Sequence, residues 1–176
     1  SGNREEENAS EKFNIEDNSK IYDTISKLRS EMAEQFADKN IEMRIQEQSG
    51  GGILIWIQHK GKNSLGFYAN SEKNKNRLTK EGMASWIQFS IDQLTLVEKI
   101  ESVALSKNIG SSKDSFVSMD MKKLDSGNVK IALSDSLTKK TGSFIVKSKN
   151  ASPENISQEF DTILKEFLSD ETKEKP

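Results

Sequence analysis

Apolar and polar residues alternate along two stretches of this chain, Ile41–Asn70 and Phe116–Asn150. The alternating apolar positions are Ile41, Met43, Ile45, Ile53, Ile55 and Ile57 in the first stretch, and Val117, Met119, Met121, Val129, Ile131 and Leu133 in the second. An apolar residue at every second position lines one face of a β-strand. A further short apolar segment ends each stretch, so each stretch predicts three strands.

The polar segments between these strands have the composition of tight turns. Ser49–Gly52 and Asp125–Asn128 separate the first two strands of each stretch, and Lys60–Asn63 and Lys139–Gly142 precede the third. Gly and Asn adopt the backbone conformations that hairpin turns need. Since every connection is local, we expect antiparallel pairing and interpret the second stretch as a looser duplicate of the first.

Helical periodicity marks the segments before and after the predicted sheets. Between Ser19 and Asp38 apolar residues recur every three or four positions, with Asn18 or Ser19 as the predicted N-cap. A last helix is predicted to begin with Ser152 as N-cap and Pro153 in its first turn. Its predicted apolar face consists of Ile156, Phe160, Ile163, Leu164, Phe167 and Leu168.

The segment between the two stretches has apolar residues on too many faces for one simple amphipathic helix. Ser90 and Gln93 have the spacing of a capping box. This spacing favours a helix Ile91–Lys107 that is preceded by a fourth strand, Met83–Phe89. The alternative is one continuous helix, Lys80–Lys107.

The order of these elements predicts an α+β fold: two antiparallel sheet units of three to four strands, with helices before, between and after. We predict one domain over residues 18–169, made of the halves 18–90 and 91–169. Residues 1–17 form an acidic leader and residues 170–176 a charged tail. Both lack an apolar period and are expected to be disordered.

The strand Ile53–Ile57 is apolar on both faces, because Leu54 and Trp56 alternate with the isoleucines. Such a strand is typical of a sheet that is covered on both sides. We therefore predict that Trp56 is a core residue, with a surface binding anchor as the alternative. The methionines predicted to fill the core are Met43, Met119 and Met121.

Composition narrows the classes of function. The chain has 26 Lys and Arg against 28 Asp and Glu, a net charge of −2, so no overall field attracts nucleic acid or an anionic membrane. It has no cysteine, which excludes disulfides, thiolate nucleophiles and Cys-ligated metals. No apolar run is long enough to span a bilayer. Both a cytoplasmic protein and the mature part of a lipoprotein fit these features.

Few residues are candidates for catalysis, and we assign no catalytic residue, metal or cofactor. His59, the only histidine, follows a strand without a partner at metal-ligand spacing, which favours a solvated turn residue. No Gly-x-Ser-x-Gly presents a nucleophile to it. Ser49–Gly52 joins two strands instead of opening a helix, which favours a hairpin turn over a phosphate cradle. Two acidic pairs lack a pattern that would separate their protonation states: they are Asp120 with Asp125 and Asp17 with Asp23.

The Lys- and Asn-rich connection Ser71–Lys80 remains as a candidate for function. Most such runs are solvated loops. The alternative is a mildly basic docking patch beside a tyrosine, a residue type that is favoured in protein interfaces. The predicted binding residues are Lys60, Lys62, Tyr68, Lys73, Lys75 and Arg77.

Four segments carry a family resemblance: Ser64–Asn70, Trp86–Asp92, Asp125–Ile131 and Ile156–Leu168. With the turns and strands between them they resemble the outer-surface lipoproteins E and F and their relatives in Lyme disease spirochaetes, the group of E/F-related and E/F-like leader proteins. The leading helix Ser19–Asp38 and the insertion around Lys73 depart from the members that bind factor H.

The resemblance implies a non-catalytic binding domain, held on the outer cell surface by a lipid anchor outside this sequence. It implies a host complement protein as partner, with an initiating serine protease of the classical pathway favoured over factor H. We expect a monomer. One alternative is a bacterial immunity or envelope interaction protein that binds a cognate bacterial partner. Another is an enzyme, which would need a deep pocket that encloses perturbed carboxylates.

Overall fold

The computed structural model describes residues 13, 15–110 and 115–169. The fold class is confirmed: the protein is α+β, with two antiparallel sheets and helices before, between and after them. The chain divides between Ile91 and Asp92 into two compact parts, which we call the first unit and the second unit. This point is next to the predicted boundary of the two halves. The disorder predicted for residues 1–12, 14 and 170–176 lies outside the described residues.

Two consecutive α-helices of the first unit, α1 (Asn18–Glu31) and α2 (Ala33–Lys39), replace the single helix predicted over Ser19–Asp38. The chain turns at Met32, whose φ of −105° and ψ of 12° depart from helical values. Met32 is nevertheless buried, so the predicted apolar face still packs on the core.

The start of α1 also differs from the prediction. Its N-cap is Asp17, without a side-chain capping hydrogen bond. Asn18, one of the two predicted caps, instead donates from Nδ2 to the carbonyl oxygen of Gly51 at 3.2 Å. Ile15–Asp17 forms a 3₁₀ turn, and Phe13 pairs with Ser71 in an isolated β-bridge. The prediction of a disordered leader is therefore wrong for these residues, which belong to the first unit.

The first sheet consists of β1 (Ile41–Glu47), β2 (Ile53–His59), β3 (Lys62–Asn63) and β4 (Phe67–Tyr68). β2 is paired with β1 along its whole length, with β3 at one end and with β4 at the other. The predicted third strand is present as β4, whereas β3 lies within the predicted turn Lys60–Asn63. Ser49–Gly52 lies in the predicted hairpin connection, where Gly50 and Gly51 have φ values of 94° and 93° that favour glycine.

One face of this sheet packs against helices to form the first core. Phe67 and Trp86 lie edge to face there, with ring centroids 4.8 Å apart. Met43 is buried, as predicted. The principal residues of the first core are Ile25, Leu28, Met32, Phe36, Met43, Ile53, Ile55, Ile57, Phe67, Met83, Trp86 and Ile87.

The preferred interpretation of the middle segment is wrong, because the chain forms one helix, α3 (Lys80–Ser106), close to the alternative. Thr79 caps it by accepting a hydrogen bond from the backbone N–H of Gly82 at 3.0 Å. Ser90 and Gln93 are buried inside the helix and do not cap it. Apolar residues cover many faces because the helix supplies residues to the core of each unit.

The second unit contains the sheet β5 (Val117–Lys123), β6 (Val129–Asp135) and β7 (Thr141–Val146), in that spatial order. These are the three predicted strands. Helix α4 (Pro153–Phe167) follows, and the predicted cap is confirmed: the hydroxyl of Ser152 accepts from the backbone N–H of Asn155 at 3.1 Å. Leu168, predicted on the apolar face, is 81% exposed because the helix ends one residue before it.

The second core lies between one face of this sheet, α4 and the C-terminal half of α3. Phe144 and Phe160 meet there edge to face, with ring centroids 5.2 Å apart. Met119 and Met121 are partly buried against this core, in agreement with the prediction. Its principal residues are Val97, Ile100, Val129, Ile131, Leu133, Val146, Ile156, Phe160, Ile163 and Phe167.

Candidate binding surface

The first two strands of the two sheets pair in the same way, which allows the sheets to be compared position by position. Each ladder has seven residue pairs, with Met43 opposite Ile57 in the first and Met119 opposite Leu133 in the second. In both sheets the side chains that alternate with the core residues lie on the opposite, open face.

The open face of the first sheet carries a tryptophan. Trp56 was predicted in the core, but it is only half-buried, whereas its neighbours Ile55 and Ile57 are fully buried. The prediction fails because helices cover the first sheet on one face, so residues that alternate with the isoleucines lie on the other. We call this set of residues the Trp56 face: Glu42, Arg44, Gln46, Leu54, Trp56 and Gln58.

A polar network positions the residues around the indole. Arg44 is the cross-strand partner of Trp56. The guanidinium of Arg44 donates to Oε1 of Gln58, from Nη2 at 3.0 Å and from Nε at 3.3 Å. Nη2 of Arg44 also lies 3.1 Å from a carboxylate oxygen of Glu42. Because one guanidinium joins both neighbours, Arg44 is held beside Trp56 on the strand surface.

Four residues of the Trp56 face, together with Ile45 and Asn63, form a shallow depression of about 380 Å³. Its lining residues are Arg44, Ile45, Gln46, Trp56, Gln58 and Asn63. In the part of the chain that the structure describes, the indole N–H of Trp56 donates to no protein acceptor. The site therefore offers a large aromatic surface, a hydrogen-bond donor and fixed polar neighbours, which are the features of a recognition surface.

The second sheet serves as an internal reference for these positions. Ala132 occupies the position of Trp56, and Asp120 occupies that of Arg44. The whole set is exposed and mostly small or charged: Ser118, Asp120, Lys122, Lys130, Ala132 and Ser134. A sheet with this register thus forms without an aromatic residue on its open face. The register of the ladder therefore does not require a tryptophan at position 56.

The structure does not bring the six predicted binding residues together. Lys60 and Lys62 lie in the turn and strand that pair with the end of β2 at Gln58 and His59. Lys73, Lys75 and Arg77 lie in the 3₁₀ turn Glu72–Arg77, after β4, which pairs with Leu54 and Ile55. Gln58 and Leu54, near these two ends of β2, are four residues apart, which corresponds to about 13 Å in an extended strand.

Two of the six residues have roles inside the fold. Tyr68 is 1% exposed: its hydroxyl donates to Oε1 of Gln48 at 3.0 Å, and the ring of Phe13 lies 5.2 Å from its own. Its predicted place beside a docking patch is wrong, because it has no surface to offer. Arg77 stacks over Phe67 at 5.2 Å and donates to Asn74, which fixes the 3₁₀ turn on the first core.

Sequence reasoning missed the Trp56 face, although a signal was present. Strand β1 alternates its apolar residues with Glu42, Arg44 and Gln46. Polar and charged residues at every second position indicate a face that is open to water. Because β1 and β2 are joined by a hairpin, the residues of β2 opposite them had to share that open face.

The described residues offer little for catalysis. They contain no group of three or more His, Asp or Glu side chains that could hold a metal ion. His59 ends β2, with Nδ1 3.4 Å from the carbonyl oxygen of Asn40. The glycine turn packs on the leader: a Cβ on Gly52 would lie 2.9 Å from the ring of Phe13. This close approach explains the glycine there without a bound phosphate.

Within residues 15–110 and 115–169, no helix has both the length and the hydropathy that a membrane span requires.

Comparison with known proteins finds no family model, curated protein or solved structure that matches this chain.

Proposed function

We propose that this chain is a non-catalytic protein-binding domain whose contact surface is centred on the Trp56 face. The observation that carries the proposal is the half-buried Trp56 at a position where the equivalent strand has Ala132. Tryptophan and arginine are the residue types that contribute most to protein interfaces. Arg44, held beside Trp56 by Gln58 and Glu42, loses little freedom when a partner binds.

The size of the face indicates how far a partner must extend. Seven residues of strand span about 23 Å, and three strand widths span about 14 Å. This footprint of roughly 300 Å² is smaller than the surface of about 800 Å² that a stable interface covers on each partner. The partner would therefore also contact the adjoining turn, where Lys60 is exposed. Lys60 and Lys62 thus keep a place at the rim of the proposed interface.

The family resemblance supports a host complement protein as the partner. An initiating serine protease of the classical pathway is favoured over factor H. Display on the outer cell surface through a lipid anchor would place the domain in contact with serum. Inhibition would follow from occupation of the protease surface, so it requires no catalytic residue in this chain.

The test is binding of the purified initiating proteases to the immobilised domain, together with classical-pathway lysis assays. Trp56→Ala should weaken binding by about 30-fold or more, equivalent to at least about 2 kcal/mol. Leu137→Ala is the matched control, since it removes an apolar side chain that is 67% exposed in the second unit. Equal affinities for both variants and the parent protein would refute the assignment of the surface.

A second outcome separates the surface from the identity of the partner. If the proteases are not bound, but a bacterial protein is retained in a manner that depends on Trp56, the binding surface stands and the complement partner is wrong. That result would favour the alternative of an immunity or envelope interaction protein.

A further inference from the structure

Strand β7 is an edge strand of the second sheet with three unoccupied backbone positions. The backbone N–H of Asp135 donates to Lys140 at 2.9 Å, which makes these two residues a hydrogen-bonded pair of the β6–β7 ladder. Hydrogen-bonded pairs alternate along an antiparallel ladder. The backbone groups of Thr141, Ser143 and Ile145 therefore point away from β6.

The outer edges of β1 and β5 are at least partly occupied. On β1, Arg29 donates from Nη2 to the carbonyl oxygen of Met43 at 3.1 Å. On β5, the carbonyl oxygen of Val117 accepts from the backbone N–H of Gly110 at 2.9 Å. Among the described residues, nothing donates to or accepts from the outward backbone groups of β7. Edges of this kind are templates for another strand.

Two depressions lie along this edge beside α4, one of about 310 Å³ at Ile145 and one of about 670 Å³ at Thr141. We call the two together the β7 groove. Ile163 of α4 packs over Gly142 between them. Ile145 is 49% exposed, although it is a large apolar residue. A sheet edge next to a helix is the arrangement in which proteins bind extended peptides by strand addition.

The charges around the groove favour an acidic occupant. The charged residues that line it are Lys139, Lys140, Lys147, Lys165, Glu159 and Glu166. Lys140 already donates to the carbonyl oxygens of Glu166 and Ser169 at the end of α4. The other three lysines are exposed and form no ion pair within the described part of the chain. The lysines outnumber the carboxylates, so the groove attracts negative charge.

We propose that the outer edge of β7 binds an extended acidic peptide segment of a partner protein, which adds a fourth strand to the second sheet. The backbone of Thr141, Ser143 and Ile145 supplies the hydrogen bonds, and the surrounding lysines select acidic side chains. This site lies in the second unit and does not depend on the role of the Trp56 face.

The probe is a fluorescein-labelled heptapeptide in which glutamate and aspartate alternate with valine and threonine, and binding is followed by fluorescence anisotropy. Ser143→Pro removes one outward N–H, and proline is tolerated at an edge position whose N–H is not part of the ladder. It should weaken binding about tenfold or more, whereas Ser143→Ala, which keeps the N–H, should stay within about twofold of the parent protein. Circular dichroism establishes that both variants fold.

Two further arms test the hydrogen bonds and the charges without changing β7. The same peptide with methyl groups on alternate backbone nitrogens should not bind the parent protein. The double variant K147E/K165E should lose the acidic peptide and prefer one in which lysine replaces the acidic residues.

Three results would overturn the proposal. The first is the absence of any anisotropy change with the parent protein. The second is binding that neither Ser143→Pro nor N-methylation weakens, which would mean attraction by charge alone. In the third, sedimentation experiments detect a dimer that Ser143→Pro abolishes, and the acidic peptide does not bind. A second copy of the chain would then occupy the outer edge of β7.

Discussion

Replacing each tryptophan of the first unit by alanine separates a surface role from a core role. Trp86 is 7% exposed and packs edge to face on Phe67 in the first core. Trp56 is half-buried on the open face of the same sheet. The two substitutions delete the same atoms from the same unit, so a difference in their effect reports on the environment of each indole.

The structure sets the expected size of each loss. Truncation of a buried tryptophan costs about 3–5 kcal/mol, because it also leaves a cavity, and this range applies to Trp86→Ala. Trp56 is partly exposed and removes about 150 Å² from water, which corresponds to about 4 kcal/mol at about 25 cal/mol per Å². The compactness of the unfolded chain and the methyl group of alanine reduce this to about 2–3 kcal/mol. No closed cavity forms, since the vacated space opens to water.

The assay is urea unfolding followed by far-ultraviolet circular dichroism, because tryptophan fluorescence itself changes in both variants. With equal m-values, Trp86→Ala should lower the free energy of unfolding by about 1 kcal/mol or more beyond Trp56→Ala, because only Trp86→Ala leaves a closed cavity. Equal losses would refute the reasoning, since they would mean that Trp56 is a core residue and has no surface to present.

Three further predictions concern particular contacts. Gln93 is 2% exposed and donates from Nε2 to two carbonyl oxygens of the β5–β6 turn, at 2.8 and 2.9 Å. Gln93→Leu should therefore lower the free energy of unfolding by about 1–3 kcal/mol in urea unfolding, and a loss below about 0.5 kcal/mol would contradict this. Gly82→Ala should lower the melting temperature in a thermal scan, because the added Cβ would collide with the carbonyl oxygen of Asn76. This is the reverse of the effect of helix propensity, which favours alanine over glycine by about 1 kcal/mol. A raised melting temperature would show that the contact is absent. Burial, followed by the hydrogen bond and the charge of Glu47, raises the pKa of Tyr22 from its ordinary value of 10.0. The neutral phenol therefore stabilises the folded state below that pH, and this stabilisation is lost as the pH rises through the folded-state pKa. Glu47→Gln should lower the pKa of Tyr22 in an ultraviolet titration, and an unchanged titration curve would speak against the contact.

The sequence predicted elements well where local signals and tertiary packing agree. Strands β5 and β6 have clean period-two alternation between polar turns, β7 contains a short apolar segment, and the pairing of the three strands follows from the short connections. Helix α4 begins where Ser152 and Pro153 predict it, because capping is decided by residues close in sequence.

The continuous helix α3 was not predicted, because its pattern depends on contacts distant in sequence. Ser90 and Gln93 have the spacing of a cap, but Gln93 binds the β5–β6 turn, more than thirty residues further along the chain. Its apolar residues serve two cores, so no single amphipathic face is visible in the sequence.

For a related reason, the sequence did not show that the six predicted binding residues lie apart. Composition marked the lysine-rich segments as binding residues, but it does not indicate position, and pairing places Lys60 and Lys75 near opposite ends of β2. Trp56 was assigned to the core because hydrophobicity was considered one strand at a time. Cross-strand comparison with Arg44 shows which face it shares.

Hydroxyl-radical footprinting of the two tryptophans, with and without a purified initiating protease of the classical pathway, tests the central claim most directly. In the free protein Trp56 should oxidise rapidly and Trp86 slowly, because only the first is open to water. In the complex the oxidation rate of Trp56 should fall towards that of Trp86. A complex that forms while Trp56 oxidises at its free rate would contradict the account, since the partner would then bind elsewhere.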